Sequence, residues 1–150
     1  GMRLLDITIG NPYFNPHINR PFDKGPYALP EDPIVGVARL CGCVSAIKRA
    51  APEMAVVASG LSYLRQFSAN QAAGLVESGA ADLAGFGRMA FAYPDFAADI
   101  LREGRLKPEK CCLACSKCTE LMRAGSTPGC VVRDSAVYAP LYRRVLQKQG

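Results

Sequence analysis

Four cysteines in the last third of the chain stand at a spacing that suits metal chemistry. Cys112, Cys115 and Cys118 are separated by two residues each, and Cys130 follows after eleven more. Thiolates are strong ligands for soft and borderline metals, so crowding of this kind points first to a metal group. Three ligands at two-residue gaps can wrap one face of a cuboidal four-iron cluster, and a remote fourth closes the opposite corner. Zinc is the alternative, because four thiolates in a tetrahedron suit it, although zinc ribbons ordinarily use two well-separated Cys-x2-Cys knuckles. A chain that binds no metal there is the third possibility. Cys111 adjoins Cys112 and could replace it, but only Cys112 gives the regular spacing to Cys115. Lys107, Lys110 and Lys117 gather around these cysteines, and cations so placed offset the negative charge of a group held by four thiolates.

The other cysteines carry less. Seven in all is an odd number, and a disulfide framework would want an even set in an exported chain. Cys41 and Cys43 fall in an apolar helical segment and read as core residues, since buried cysteine behaves as a small hydrophobe.

A second candidate site is built from glycines. Ser59-Gly60 follows one strand-like segment, and Gly85-Phe86-Gly87-Arg88 ends the next. Glycine at a strand's C-terminal end lets backbone N–H groups approach a ligand closely, and an adjacent arginine supplies a forked, charged donor for phosphate. On consecutive parallel strands the two loops match the phosphate site that β/α barrels commonly build after strands seven and eight. The plainer alternative is that the glycines only make tight turns and Arg88 pairs with a carboxylate such as Asp95.

The elements that must position these residues alternate in type. Arg3 to Ile9, Ala55 to Ser59 and Ala81 to Phe86 read as short apolar strands. Asp32-Pro33 opens a helical run through Ile34, Val37, Leu40, Val44 and Ile47 that ends near Ala51-Pro52, and Asn70 to Ser78 is a shorter helix closed by Gly79. Pro94 to Glu103 is helical with Gly104 as its stop signal, and Ala136 to Gln147 is a last amphipathic segment. Strand, helix, strand, helix, strand is the order of a parallel sheet with crossover helices. The composition changes at Lys107, where a stretch rich in Cys, Lys and Gly begins. The segment from Gly10 to Glu31 holds five prolines and two glycines. A structureless loop of that length is uncommon unless functional, and here it either borders an active site or packs on its own Tyr13, Phe14, Phe22 and Tyr27. His17, the single histidine, lies in it and reads as a surface residue.

Composition narrows the classes further. The 150 residues are 49% hydrophobic, ordinary for a globular chain and against disorder. No apolar run approaches the roughly 18 to 20 residues of a membrane-spanning helix, and no secretion signal stands at the start, which predicts a soluble, cytoplasmic protein without a membrane partner. Gly1 before Met2 reads as the remnant of a removed tag. The net charge of +5 is spread over several segments, Arg143, Arg144 and Lys148 among them. Without interleaved aromatic residues this reads as solvated surface, not as a nucleic-acid interface.

Three segments together resemble a known family: Val56-Val57-Ala58-Ser59-Gly60, then Gly79-Ala80-Ala81-Asp82-Leu83-Ala84-Gly85-Phe86-Gly87-Arg88, then Ala92-Tyr93-Pro94-Asp95-Phe96. They look like the end of the barrel of the old yellow enzyme family, and the cysteine run resembles the subgroup with 2,4-dienoyl-CoA reductase and trimethylamine dehydrogenase. The likeness runs from about Leu4 to Asp134. One departure touches the cluster: the dienoyl reductases carry three residues between the second and third cysteine, where this chain has two.

The resemblance implies an α/β fold in which the three strands are strands six to eight of a (β/α)8 TIM barrel. Residues 1–106 would form that partial barrel and residues 107–150 an iron–sulfur segment with a C-terminal helix. Ser59, Gly60, Gly87 and Arg88 would hold the phosphate of FMN, and Cys112, Cys115, Cys118 and Cys130 a 4Fe-4S cluster, with zinc as the alternative metal. The function implied is the C-terminal half of an NAD(P)H-dependent flavin oxidoreductase acting on an activated alkene. Such a half lacks the first five strands and their catalytic groups, so it is incomplete for catalysis alone. Exposed side strands would then require a covering partner, either a second copy of the chain or a chain supplying the missing half. A non-enzymatic electron-transfer or zinc-binding structural module is the rival function.

Overall fold

The computed structural model describes every residue except 12, 13, 20, 23–27, 149 and 150. In chain order its elements are β1 (Leu4–Ile7), α1 (Pro16–Asn19), α2 (Pro33–Ala50), β2 (Ala55–Ala58), a 3-10 segment (Leu61–Phe67), α3 (Ser68–Glu77), β3 (Leu83–Ala84), α4 (Gly87–Ala92), α5 (Phe96–Glu103), α6 (Lys117–Arg123) and α7 (Ser135–Gln147).

The start of α2 follows from its sequence. The Asp32 carboxylate accepts a hydrogen bond from the Ile34 N–H at 2.8 Å, and Pro33 occupies the first helical position, where its missing N–H costs nothing. At the other end, the Lys48 ammonium donates to the carbonyls of Pro52 and Met54 and pairs with Asp82 at 2.9 Å. Asp82 also accepts the Val56 N–H at 2.7 Å. The helix, the turn into β2 and the approach to β3 are thereby tied at one corner.

The three strands pair in parallel in the order β1-β2-β3, with Ile7 beside Ala58 and Ala58 beside Ala84. On one face Ile7, Val56 and Ala58 are buried against Leu40 and Val44 of α2, Leu61, and Leu75 of α3. On the other face Leu4, Asp6 and Leu83 are exposed. Parallel sheets are ordinarily covered on both sides, and among the described residues helices cover one.

This architecture corrects the barrel expectation. The described residues form a three-stranded parallel sheet in a chain that is about half helix, not a recognisable portion of a (β/α)8 barrel, and the numbering of its strands as six to eight falls with it. Alternation of strand and helix dictates parallel pairing but not closure. Closure needs a strand tilt and register stagger carried around the whole sheet, and strands of four, four and two residues supply too short a ladder to set them.

The long segment before α2 contains regular structure among its described residues. It contains α1, whose His17 is buried, not on the surface as expected, with its imidazole 4.0 Å from the Glu31 carboxylate. Glu31 in turn pairs with Arg39 of α2. Phe22 is buried and Phe14 exposed; Tyr13 and Tyr27 lie outside the described residues.

Two further clusters follow the sheet. Met89, Ala92, Tyr93, Leu106, Cys111 and Cys112 form one, and Leu121, Val131 and Val145 the centre of the other. The first joins α4 to the start of the cysteine segment, and the second packs α6 against α7. No helix among the described residues is long and apolar enough to cross a membrane.

Candidate metal centre

The cysteine segment is held in place by Arg133. Its guanidinium donates from Nε and Nη2 to the Cys111 carbonyl, at 3.1 and 3.0 Å. Arg133 sits three residues after Cys130, so this clamp brings the remote cysteine to the other three. Cys112, Cys115, Cys118 and Cys130 all line one pocket, together with Arg88, Phe91, Leu113, Ser116, Lys117, Val131, Val132 and Arg133.

The backbone around the sulfurs is arranged as donors. The Ala114 N–H points at Cys112 Sγ at 3.4 Å, and the Arg133 N–H at Cys130 Sγ at 3.3 Å. Such contacts favour the thiolate over the thiol. To wrap the loop this tightly, Ala114 and Ser116 take left-handed backbone angles, φ 53° and 62°, which cost energy in residues with a β-carbon. The turn out of the loop is then closed by the Ser116 carbonyl, which accepts from Thr119 and Glu120 at the start of α6.

Burial pushes the Cys112 and Cys118 thiols up from the ordinary cysteine range. Arg88 opposes this at both residues, the Ala114 N–H opposes it at Cys112 and Thr119 at Cys118, while the neighbouring cysteines push both further up. Cys111 is also pushed up by burial. Its thiol donates to the Lys107 carbonyl at 3.3 Å, inside the second core cluster and away from the pocket. Between the two adjacent cysteines, Cys112 is therefore the one that faces the other three.

The cations differ from those expected. Lys117 does line the pocket, with its ammonium 5.5 Å from the ring centre of Tyr142. Lys107 and Lys110 turn instead to buried Asp99, at 3.4 and 3.6 Å, and Lys107 also pairs with Glu103. Arg88 and Arg133 take their place around the sulfurs. Arg133 had a signal in the sequence, its position just past Cys130. Ser116 and Phe91 had none beyond proximity.

The four residues expected around an FMN phosphate are placed as follows. Ser59 donates its hydroxyl to the Asp6 carboxylate at 2.6 Å, across the C-terminal ends of β2 and β1. Gly60 has φ +82°, a conformation strained for any residue with a β-carbon, and lies against Leu40. Gly87 and Arg88 begin α4, and the Arg88 guanidinium reaches the Pro21 carbonyl at 3.3 Å and the cysteine pocket, with no ion pair to Asp95. Cys41 packs on the edge of the sheet core, where its sulfur accepts from Gln71 at 3.3 Å, and Cys43 is half-buried.

Among the described residues, no group of three or more His, Cys, Asp or Glu side chains is arranged to hold a single metal ion. The four sulfurs stand around a narrow pocket of about 20 Å³, room for little more than one water molecule. In ligand type, donors and charge the site suits an anionic thiolate-held group; in width, as it stands, it does not admit one. No family model, curated protein or solved structure matches the chain.

Proposed function

We propose that the chain is an electron-transfer module that holds an iron–sulfur cluster through Cys112, Cys115, Cys118 and Cys130, serving a flavin-linked oxidoreductase system. The observation that carries this is the convergence of those four cysteines, from two separate segments, on one pocket that also contains Arg88, Lys117 and Arg133. The flavin link rests on the sequence motifs alone. A reducing compartment such as the cytoplasm suits a chain with seven free thiols.

When bound, a four-iron cluster supplies reversible one-electron transfer. The residues of the chain do the rest. Four thiols give up protons to become ligands, so loading releases protons and is favoured as the pH rises. The N–H groups of Ala114 and Arg133 donate to two of the sulfurs, and Leu113, Val131 and Val132 exclude water. Phe91, half exposed, lines the same pocket and would offer a partner an apolar contact beside it.

Anaerobic reconstitution followed by iron, sulfide and zinc analysis tests the proposal. About four irons and matching sulfide per chain are expected, falling sharply in Cys112→Ser and Cys130→Ser but not in Cys41→Ser. Zinc at about one per chain, with no visible colour, would overturn it and leave a structural metal site.

A further inference from the structure

Three buried side-chain atoms among the described residues have no hydrogen-bond partner: Gln71 Oε1, Arg88 Nη1 and Ser116 Oγ. Native structures rarely keep such a group without a use, and two of these three belong to residues that line the cysteine pocket. Ser116 is 5% exposed and sits on the left-handed backbone that wraps the loop. Arg88 is steadied by its other arm, which donates to the Pro21 carbonyl at 3.3 Å. Both atoms call for an acceptor: a guanidinium N–H can only donate, and a hydroxyl turns its hydrogen to the acceptor it meets.

The charge of the lining says which acceptor suits them. Arg88, Lys117 and Arg133 line the pocket, and no Asp or Glu does. None of the three joins an ion pair among the described residues, and Glu120 of α6, outside the lining, accepts from the Tyr142 hydroxyl. Cations in a confined site of low dielectric attract an anion more strongly than a neutral molecule. Width narrows the choice. A space of about 20 Å³ takes one particle near the size of water, which leaves out phosphate, sulfate and carboxylates and admits a single halide ion.

We propose that Arg88 Nη1 and Ser116 Oγ bind one monatomic anion of chloride size in this pocket while the four cysteines are free thiols. The site goes beyond the proposed cluster and does not depend on it, because its donors, charge and width are those of the structure as it stands.

The test is chloride NMR on the full chain, with thiols kept reduced and no metal added, for the wild type, Arg88→Gln, Ser116→Ala and, as a control outside the pocket, Arg144→Gln on exposed Arg144 of α7. Chloride exchanging with a fixed site broadens the line, and bromide should displace it from the wild type. Arg88→Gln is expected to weaken binding on the order of tenfold and Ser116→Ala several-fold, with Arg144→Gln unchanged. Wild-type broadening in folded Arg88→Gln or Ser116→Ala overturns the site, and so does an equal loss in Arg144→Gln, which would place the chloride on surface cations. A wild type without excess broadening also overturns it and leaves water as the occupant; the cluster proposal is then untouched, since it is read by iron uptake. Should a pocket variant fail to fold, wild-type thermal melts decide. A saturable rise in melting temperature as chloride replaces gluconate, a monovalent anion too large to enter, supports the site at constant ionic strength, and no rise overturns it.

Discussion

The ring of Tyr138 lies directly over the α-carbon of Gly129, leaving no room for a β-carbon. Tyr138 belongs to α7 and packs with Leu121, Val131 and Val145, while Gly129 immediately precedes Cys130. The packing of the last helix thus fixes the height at which the remote cysteine meets the other three. Gly129→Ala is expected to cost about 1–3 kcal/mol through overpacking and to lower iron uptake on reconstitution. In Gly129→Ala with Tyr138→Ala, the smaller residue makes room, so the two losses are expected to be less than additive. Additive losses in thermal melts of the three variants would mean the ring and the glycine act separately.

A second relationship bears on flavin. The Ser59 hydroxyl is donated to Asp6, so a phosphate at this loop meets a carboxylate within a few ångströms and no free hydroxyl. Repulsion at such a distance is worth on the order of 1 kcal/mol even near water. Asp6→Asn is therefore expected to bind FMN several-fold more tightly than the wild type, followed by quenching of flavin fluorescence at low salt. Equal affinity, or tighter binding by the wild type, would show that phosphate does not approach Ser59.

Much of this fold was written in local signals. Asp32 and Pro33 announce α2, Gly104 in its left-handed conformation ends α5, and the cysteine spacing marks four residues that line one pocket. What escaped was whatever depends on residues distant in sequence. Arg88 reads equally well as a phosphate or carboxylate partner until the fold turns it toward Cys112 and Cys118. Lys107 and Lys110 look like cluster cations because Asp99, which claims them, is a helix residue eight to eleven positions earlier. The α4 helix was hidden because Gly87 is a poor helix former, and closure of the sheet is a property that no strand's own residues encode.

Asp99 itself makes a pH prediction. It is buried, accepts from the Tyr93 hydroxyl and from Arg102 at 2.6 Å, and faces Lys107 and Lys110. The Tyr93 and Arg102 hydrogen bonds hold its carboxyl well below the usual range, while burial, with Asp99 adding to it, pushes Tyr93 up to about 12. Stability from Asp99 is complete above the unfolded value of about 3.9 and is lost as the pH falls through the folded value. Stability from Tyr93 is complete below about 10 and is lost as the pH rises through about 12. Tyr93→Phe is expected to cost about 1.5–3 kcal/mol at neutral pH, and its deficit should shrink above pH 10. A deficit that stays constant through that alkaline window, in denaturant melts, would remove Tyr93 as the group responsible.

The narrowness of the cysteine pocket makes the last prediction. Four thiols around about 20 Å³ cannot admit a cluster unless one wall moves. The mobile wall should be the loop with left-handed Ala114 and Ser116, since strain there is relieved by rearrangement, whereas Cys130 is fixed by the Arg133 clamp and the Tyr138 ring. Once a ligand binds only the folded state, the whole chain gains stability by mass action, about 2.7 kcal/mol at a hundredfold excess over Kd. Hydrogen exchange should therefore slow most in residues 112–118 on reconstitution, less in 129–134, and little beyond the global gain in β1 and β2. The largest change falling in 129–134 instead would place the moving wall on the side of Cys130, and would make the Arg133 clamp a hinge.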